Sequence, residues 1–430
     1  MATDLPDLDQ FRADARAWLE ANARPRVSET APAAGERSAR VLWGEGSDDV
    51  AVFHNLDEQA ERTRLAECQA WQAAKFDAGY AMINWPVALG GRGLPNSYLR
   101  AYNTEEARFE VPNGGELPPT SMGLIATTVA AFGTPEQHDR WIRPLMRQDE
   151  YGCQLFSEPG AGSDLASLAT KAVRDGDEWV LNGQKVWTSG ARFAHWGLAI
   201  TRTDPSVPKH KGLTAFMVPL QAPGVDVRPI RQMTGGSCFN EVFLTDVRLD
   251  DSYRLGPVGD GWRVALTCLG FERDHSGGGG GSHVGGGYHQ VAAAAAHFGL
   301  TGDAIVRQAL ADLYIQHKVA QYTNRRAAAK LKAGQTPGPE GSLGKLMWTA
   351  NMARVSDVIS RVLGPRLVAD TGEWGTYAWG EHVLGAPGYR IAGGSDEIQR
   401  NIIGERVLGL PAEPRVDKDI PFNATVGVRA

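Results

Sequence analysis

A chain of 430 residues is long enough for about three domains of ordinary size, each with its own core. Its formal charge of −6 leaves no basic footprint for nucleic acid, and 42% hydrophobic residues exclude wholesale disorder. No stretch approaches the ~18 uninterrupted apolar residues of a membrane helix, and the acidic start MATDLPDLDQFRADARAWLE suits neither a secretory signal nor a transit peptide, so a cytoplasmic protein is expected.

In chain order, the first 150 residues carry mainly helical periodicity. LDQFRADARAWLEAN sets Leu8, Phe11, Ala15, Trp18 and Leu19 on one stripe. A polar, glycine-containing stretch over Ala31–Asp49 is expected as a loop, followed by a helical run from Leu56 to Tyr80. Further helices are expected over Tyr98–Phe109, over the apolar run GLIATTVAAFG, and after Thr134, with Thr134 as N-cap and Pro135 at the first helical position.

From about Gly152 to Val258 the texture changes to short alternating segments: EWVLNGQKVW, WGLAITRT, LTAFMVPL and NEVFLTDVRL. Asp-Gly, Asn-Gly and Pro-Gly turn signals separate them, as in a β-barrel or sandwich. Helical patterns return at Trp262–Glu272, Asp303–Lys332, Ser342–Leu363 and Ser395–Leu408, the last capped by Ser395 and stopped by Gly409 and Pro411. The expectation is an N-terminal α-helical domain (1–150), a middle β-barrel or sandwich domain (151–259) and a C-terminal helical bundle (260–430).

Four scattered cysteines, Cys68, Cys153, Cys238 and Cys268, have no paired spacing and are expected reduced. The ten histidines form no metal-ligand pattern, so no metal is expected. No GxxxxGK[ST] or GxGxxG nucleotide motif occurs either.

The most informative stretch is Gln154–Ala191, QLFSEPGAGSDLASLATKAVRDGDEWVLNGQKVWTSGA. A glycine-punctuated, hydroxyl-bearing turn lies ahead of a Trp-Thr-Ser cluster, with strand-like sequence between them. Such a turn lets backbone approach a bulky ligand, and an indole beside hydroxyls makes a flat apolar wall with polar handles. Either half alone is read more readily as ordinary hairpin turns.

Together, Ser157-Glu158-Pro159-Gly160-Ala161-Gly162-Ser163-Asp164 and Asn182-Gly183-Gln184-Lys185-Val186-Trp187-Thr188-Ser189 resemble the flavin-binding β-domain of acyl-CoA dehydrogenases. AGYAMINWPVALGGRGLP, FGTPEQHDRWIRPLM and GGSDEIQRNIIGERVLGLP extend the resemblance over nearly the whole chain. It implies the same domain order with a C-terminal four-helix bundle, FAD as cofactor, and dehydrogenation of an acyl-CoA thioester to the 2-enoyl-CoA. In that reaction a glutamate takes the α-proton, flavin N5 takes the β-hydride, and electrons pass to an electron-transfer flavoprotein.

For cofactor binding the resemblance implies Ser157 and Ser189 on the isoalloxazine, Trp187 over its face, Ser163 near the pyrophosphate or CoA, and Gln154 and Phe156 beside them. Many members carry the catalytic glutamate just before the last helix, where this chain has Gly393 within Ala392-Gly393-Gly394-Ser395. A second branch, including isovaleryl- and long-chain-type enzymes, places it on a bundle helix. Leu269-Gly270-Phe271-Glu272-Arg273 is similar to that pattern, which makes Glu272 the expected base. Gly393, Ser163 and Arg273 are then expected on the substrate, the Gly393 N–H holding the thioester oxygen.

Two departures stand out. The resemblance implies an arginine three residues before Phe298-Gly299, reaching FAD of a neighbouring subunit, but that position is Ala295; a second cofactor segment survives only as Val362-Leu363-Gly364-Pro365-Arg366. The family's tetramer is therefore open to being homo- or heteromeric. The other departure is Ser276–Gly287, SGGGGGSHVGGG, expected as a flexible loop or as a widened acyl pocket. An acyl-CoA oxidase, or a weakly active partner subunit of a hetero-oligomer, remain alternatives at this point.

Overall fold

The computed structural model of the chain describes residues 5–26, 50–277, 285–332, 338–339, 341–369, 377–415 and 417–425. The first helix, α1 (Leu8–Asn22), starts where the Asp7 carboxylate accepts hydrogen bonds from the Asp9 and Gln10 N–H groups. Its buried stripe, Phe11, Ala15 and Leu19, packs with Tyr80, Tyr98 and Tyr102, which come from the end of α2 (Glu58–Asp77) and from α3 (Asn96–Glu106). A two-residue ladder, β1 (Arg24–Pro25) with β2 (Phe109–Glu110), closes this layer.

The apolar run expected as a plain helix is α4 (Leu117–Thr120), a π-helical turn over Ser121–Ala126, then α5 (Thr127–Phe132). A tertiary bond accompanies the widened turn. Ser121 Oγ donates to the Gly152 carbonyl at 3.0 Å and accepts from the Gly152 N–H at 2.7 Å. That contact lies outside local propensity, which is why the sequence does not announce it. Next, α6 (Pro135–Arg147) carries a full capping box between Thr134 and Gln137. The Gln137 amide also donates to the carbonyls of Ser252 and Arg254, at 2.7 and 2.9 Å, and so ties the helix to the β-domain.

The middle unit is one eight-stranded sheet. It comprises β3 (Gly152–Leu155), β4 (Lys171–Asp175), β5 (Glu178–Ser189), β6 (Trp196–Arg202), β7 (Leu213–Pro219), β8 (Val225–Ile230), β9 (Phe239–Asp250) and β10 (Arg254–Leu255). The strand order is β10-β7-β6-β4-β5-β9-β8, with β3 parallel to β6. Every residue of β6 is buried, because the sheet packs on one side against the N-terminal helices and on the other against its own hydrophobic cluster. The four alternating segments of the sequence fall in β5, β6, β7 and β9.

The C-terminal helices are α7 (Gly261–Gly277), α8 (Tyr288–His297), α9 (Ala304–Lys332), α10 (Gly341–Leu363), α11 (Ala378–Tyr389) and α12 (Asp396–Ile402). Ser395 Oγ accepts from the Ile398 N–H and caps α12, which passes into a π-helical turn at Ile403–Val407 instead of continuing as the single helix expected to Leu408. Helix α11 was not expected, because its Gly380, Gly385, Gly388 and Pro387 all oppose helix formation. Packing explains two of them: a Cβ at Gly385 would meet the Val52 carbonyl oxygen at 2.0 Å, and one at Gly388 would meet the Phe53 ring at 2.6 Å. The glycine-rich run separates α7 from α8, and 278–284 lie outside the described residues. No described helix is long and apolar enough to cross a membrane.

Candidate active site

The two halves of the Gln154–Ala191 motif meet through Lys185. Its side chain is fully buried, and Nζ donates to Glu158 Oε1 at 2.8 Å, to the Phe156 carbonyl at 3.1 Å and to the Ile200 carbonyl at 2.7 Å. Glu158 also accepts from the N–H groups of Ala169 and Thr170. Burial alone would raise the Glu158 carboxyl, but the Lys185 charge and these hydrogen bonds outweigh it and hold the group below the ordinary carboxylate range. The next residue along β5, Val186, donates its N–H to the Ser157 carbonyl at 2.9 Å. Ser157 and Trp187 are therefore neighbours, although thirty positions separate them in sequence.

Trp187 has φ +63°, a left-handed conformation that bulky residues rarely adopt, at a register shift between β5 and β9. The bulge turns the indole outward, and the residue is 60% exposed. The indole keeps one edge-on contact, with the Phe239 ring at 6.3 Å, and leaves a face open. Ser189 is half-buried, pairs with Phe239 across the sheet, and is followed by Gly190, whose N–H donates to the Cys238 carbonyl.

The turn itself is held by reciprocal backbone bonds between Glu158 and Ala161. It presents Gly160 and Gly162 to open space, since a Cβ at either would meet nothing within 4 Å. Ser163 is exposed beyond them, and Phe156 is buried in the core. An exposed indole face, two half-buried serine hydroxyls and an open glycine backbone fit a planar, carbonyl-rich ring system with an anionic tail, which is the chemistry of FAD. Behind the turn, Asp164 is bridged by Lys209 Nζ to Asp417, at 3.0 and 2.7 Å. Arg202 is buried, donates to the carbonyls of Ala166, Leu168 and Lys209, and lies 3.8 Å from the centre of the Phe422 ring. The sequence carried a signal for neither Arg202 nor the tail residues that cover it.

Gln154 Nε2 contacts Cys268 Sγ of α7 at 3.3 Å. Position 272 follows one helical turn later on the same helix. The side chains of Glu272 and Arg273 lie outside the described residues. In the turn before α12, Gly393 is exposed at φ +64°, and its carbonyl accepts from Gln399 Nε2 at 3.2 Å. The neighbouring Gly394 carbonyl accepts from Lys345 Nζ at 2.7 Å. The nearby carboxylate, Asp396, is buried and bound by Arg390 Nε at 2.8 Å and Thr349 Oγ1 at 2.9 Å. These partners outweigh its burial and hold it below the ordinary carboxylate range, so it is committed to fixing the turn.

Ala295 is completely buried in the bundle core with Val291, Val306 and Val358, a place with no room for a long cationic side chain. At the end of α8, Arg366 lies over the Phe298 ring, 4.7 Å from its centre.

Profiles for the acyl-CoA dehydrogenase N-terminal, middle and C-terminal domains match residues 50–149, 153–250 and 259–408. The chain belongs to the acyl-CoA dehydrogenase family. Acyl-CoA dehydrogenase IpdE1 of Mycobacterium tuberculosis is 37% identical over 413 residues, covering 96% of this chain and all of that one. Human mitochondrial short-chain specific acyl-CoA dehydrogenase is 29% identical, covering 77% and 80%. The solved structure "Tcur3481-Tcur3483 steroid ACAD" is similar with a TM-score of 0.70 and 25% identity, covering 96% and 99%. The ChsE4-ChsE5 complex from M. tuberculosis shares the fold, with a TM-score of 0.68 and 24% identity, covering 96% and all of that chain. This acyl-CoA dehydrogenase is thus an FAD-dependent oxidoreductase acting on acyl-CoA thioesters, and the acyl-CoA dehydrogenase fold expected from the sequence is the fold observed.

Proposed function

We propose that Glu272 is the base that takes the α-proton of the acyl-CoA, yielding the 2-enoyl-CoA. The observation that carries this is the Gly393 turn. It has no carboxylate of its own, and the nearby Asp396 is locked by Arg390 and Thr349. Position 272 lies one turn beyond Cys268, which touches Gln154 of the flavin-motif strand. In this scheme the Gly393 N–H and Arg273 hold the thioester end, while Ser163 steadies the nucleotide part of CoA or FAD. Ser157 and Ser189 bond the edge of the isoalloxazine, Trp187 covers its face, and Gln154 and Phe156 line the adjoining strand. Bound FAD supplies the acceptor for the hydride leaving Cβ. The protein's part is to position the proton acceptor, polarise the carbonyl and keep the slot dry.

Electrons leave to an electron-transfer flavoprotein, and the enzyme works in the cytoplasm as a tetramer. The chain divides near 150 and 259 into its helical, β and bundle domains. A heteromeric tetramer is supported by Ala295, because a core alanine cannot reach a neighbour's cofactor, so a partner chain has to complete that clamp. The joint names of the Tcur3481-Tcur3483 and ChsE4-ChsE5 structures support the same reading.

The test is Glu272→Gln. It should retain FAD while flavin reduction by a panel of short, long, branched and steroid-side-chain acyl-CoAs falls by roughly 10³-fold. Unchanged turnover discards Glu272 as the base. Peroxide formation in air would instead favour an oxidase.

A further inference from the structure

Residues Val50–Asn55 form a strap that threads between the β-sheet and the bundle. Val50 and Val52 are fully buried, and the Val50 carbonyl faces His382 Nδ1 at 3.3 Å. Glycines from three distant parts of the chain make room for the strap. A Cβ at Gly236 would meet the His54 carbonyl oxygen at 2.1 Å, one at Gly385 the Val52 carbonyl oxygen at 2.0 Å, and one at Gly286 the Val50 side chain at 3.0 Å. The end of the glycine-rich run thus accommodates side chains of the strap, Val50 at Gly286 and Val52 at Gly285.

At the centre of the strap, Phe53 sits at φ +58°, a strained conformation for an aromatic residue that persists only where surrounding structure imposes it. Its ring stacks on Tyr389 with centroids 4.7 Å apart and meets Phe239 edge-on at 5.0 Å. Phe239 is the cross-strand partner of Ser189 and packs edge-on against Trp187 at 6.3 Å. Tyr389 lies four positions before Gly393, and its hydroxyl donates to Glu116. Half-buried Phe53 therefore stands between the strand end that carries Trp187 and Ser189 and the turn that carries Gly393.

We infer that Phe53 is a specificity-determining residue: the strap sets it as the end wall of the acyl slot, so the enzyme takes compact acyl groups and excludes long ones. This rests on the acyl-CoA reading of the site, but not on the identity of its base. A ring held against two others by packing and an imposed backbone angle is a rigid stop, and removing it opens a volume into which further methylenes can be buried.

The test measures binding, so it is independent of turnover. Dissociation constants for butyl-, octyl-, dodecyl- and hexadecyl-CoA thioethers, which cannot be dehydrogenated, are measured by calorimetry on the FAD-loaded protein, together with any partner chain that copurifies. Phe53→Ala should raise the preference for dodecyl over butyl by about tenfold, the gain from about two more buried methylenes. Phe53→Trp should lower that preference. An unchanged chain-length profile in folded, FAD-loaded variants overturns the wall, and so does failure of the wild type to bind any thioether. If Phe53→Ala does not fold, the Phe53→Leu and Phe53→Trp profiles decide the question in the same way. Thioether binding without flavin reduction by any acyl-CoA would count against the catalytic reading and leave the wall standing.

Discussion

The Lys185 ammonium lies 2.8 Å from the Glu158 carboxylate, and this buried pair joins the two halves of the Gln154–Ala191 motif. Its partners are also its restraints. Three acceptors surround Nζ, and three donors converge on the carboxylate. Lys185→Met leaves Glu158 charged and enclosed. Removing one member of such a pair costs about 3–5 kcal/mol, and the turn before Trp187 should loosen with it. Equilibrium denaturation should show the loss, with less flavin absorbance per polypeptide. Wild-type stability in this variant would contradict the pairing.

Trp187 spends backbone energy to present its ring, since a bulky residue in the left-handed region costs about 1–3 kcal/mol. Trp187→Gly should relieve that strain. The FAD-free protein should melt at the same temperature or higher, while FAD affinity falls at least about tenfold through loss of the covering face. Thermal melts of the FAD-free form and a fluorescence titration with FAD separate the two effects.

Burial pulls the His382 imidazole from 6.5 to about 4, and His54 falls to about 4 for the same reason, helped by Arg64 and Arg192. Both are thus neutral in the folded protein through a range where the unfolded chain binds protons. Their contribution to stability is full above pH 6.5 and is lost as pH falls from 6.5 toward 4. For His382 the span is on the order of 3 kcal/mol. His382→Gln should flatten part of this decline in urea denaturation between those limits. An equally steep decline in the variant would remove His382 from the account.

Arg202 is buried against the Phe422 ring and the carbonyls that follow the flavin turn, and burial lowers its guanidinium to about 10. Phe422→Ala should cost about 2 kcal/mol, the scale of a desolvated cation–π contact. Faster FAD loss should follow, because Leu168 and Ala166 lie on the same segment as Ser163. Denaturation midpoints and flavin dissociation rates measure the two consequences.

Much of the architecture was legible. The periodicity of α1, the N-cap at Thr134 and the alternation in β5, β6, β7 and β9 are local signals, and local physics carried them into the structure. The helix over Ala378–Tyr389 was not legible, because Gly385 and Gly388 weaken helix propensity for a reason visible only across the chain: Val52 and Phe53 press against them. The π-helical turn at Ser121–Ala126, tied to Gly152, was hidden in the same way.

The sequence by itself determined the family, the order of helix, sheet and bundle, and the absence of a carboxylate at Gly393. Those depend on residue identity and on spacing along the chain. Only the tertiary structure decided that Lys185 reaches Glu158, that Trp187 is turned outward on a strained bulge, that Ala295 is core and that Phe53 is wedged between sheet and bundle. Each of these depends on which distant backbone comes close, which local propensity does not encode.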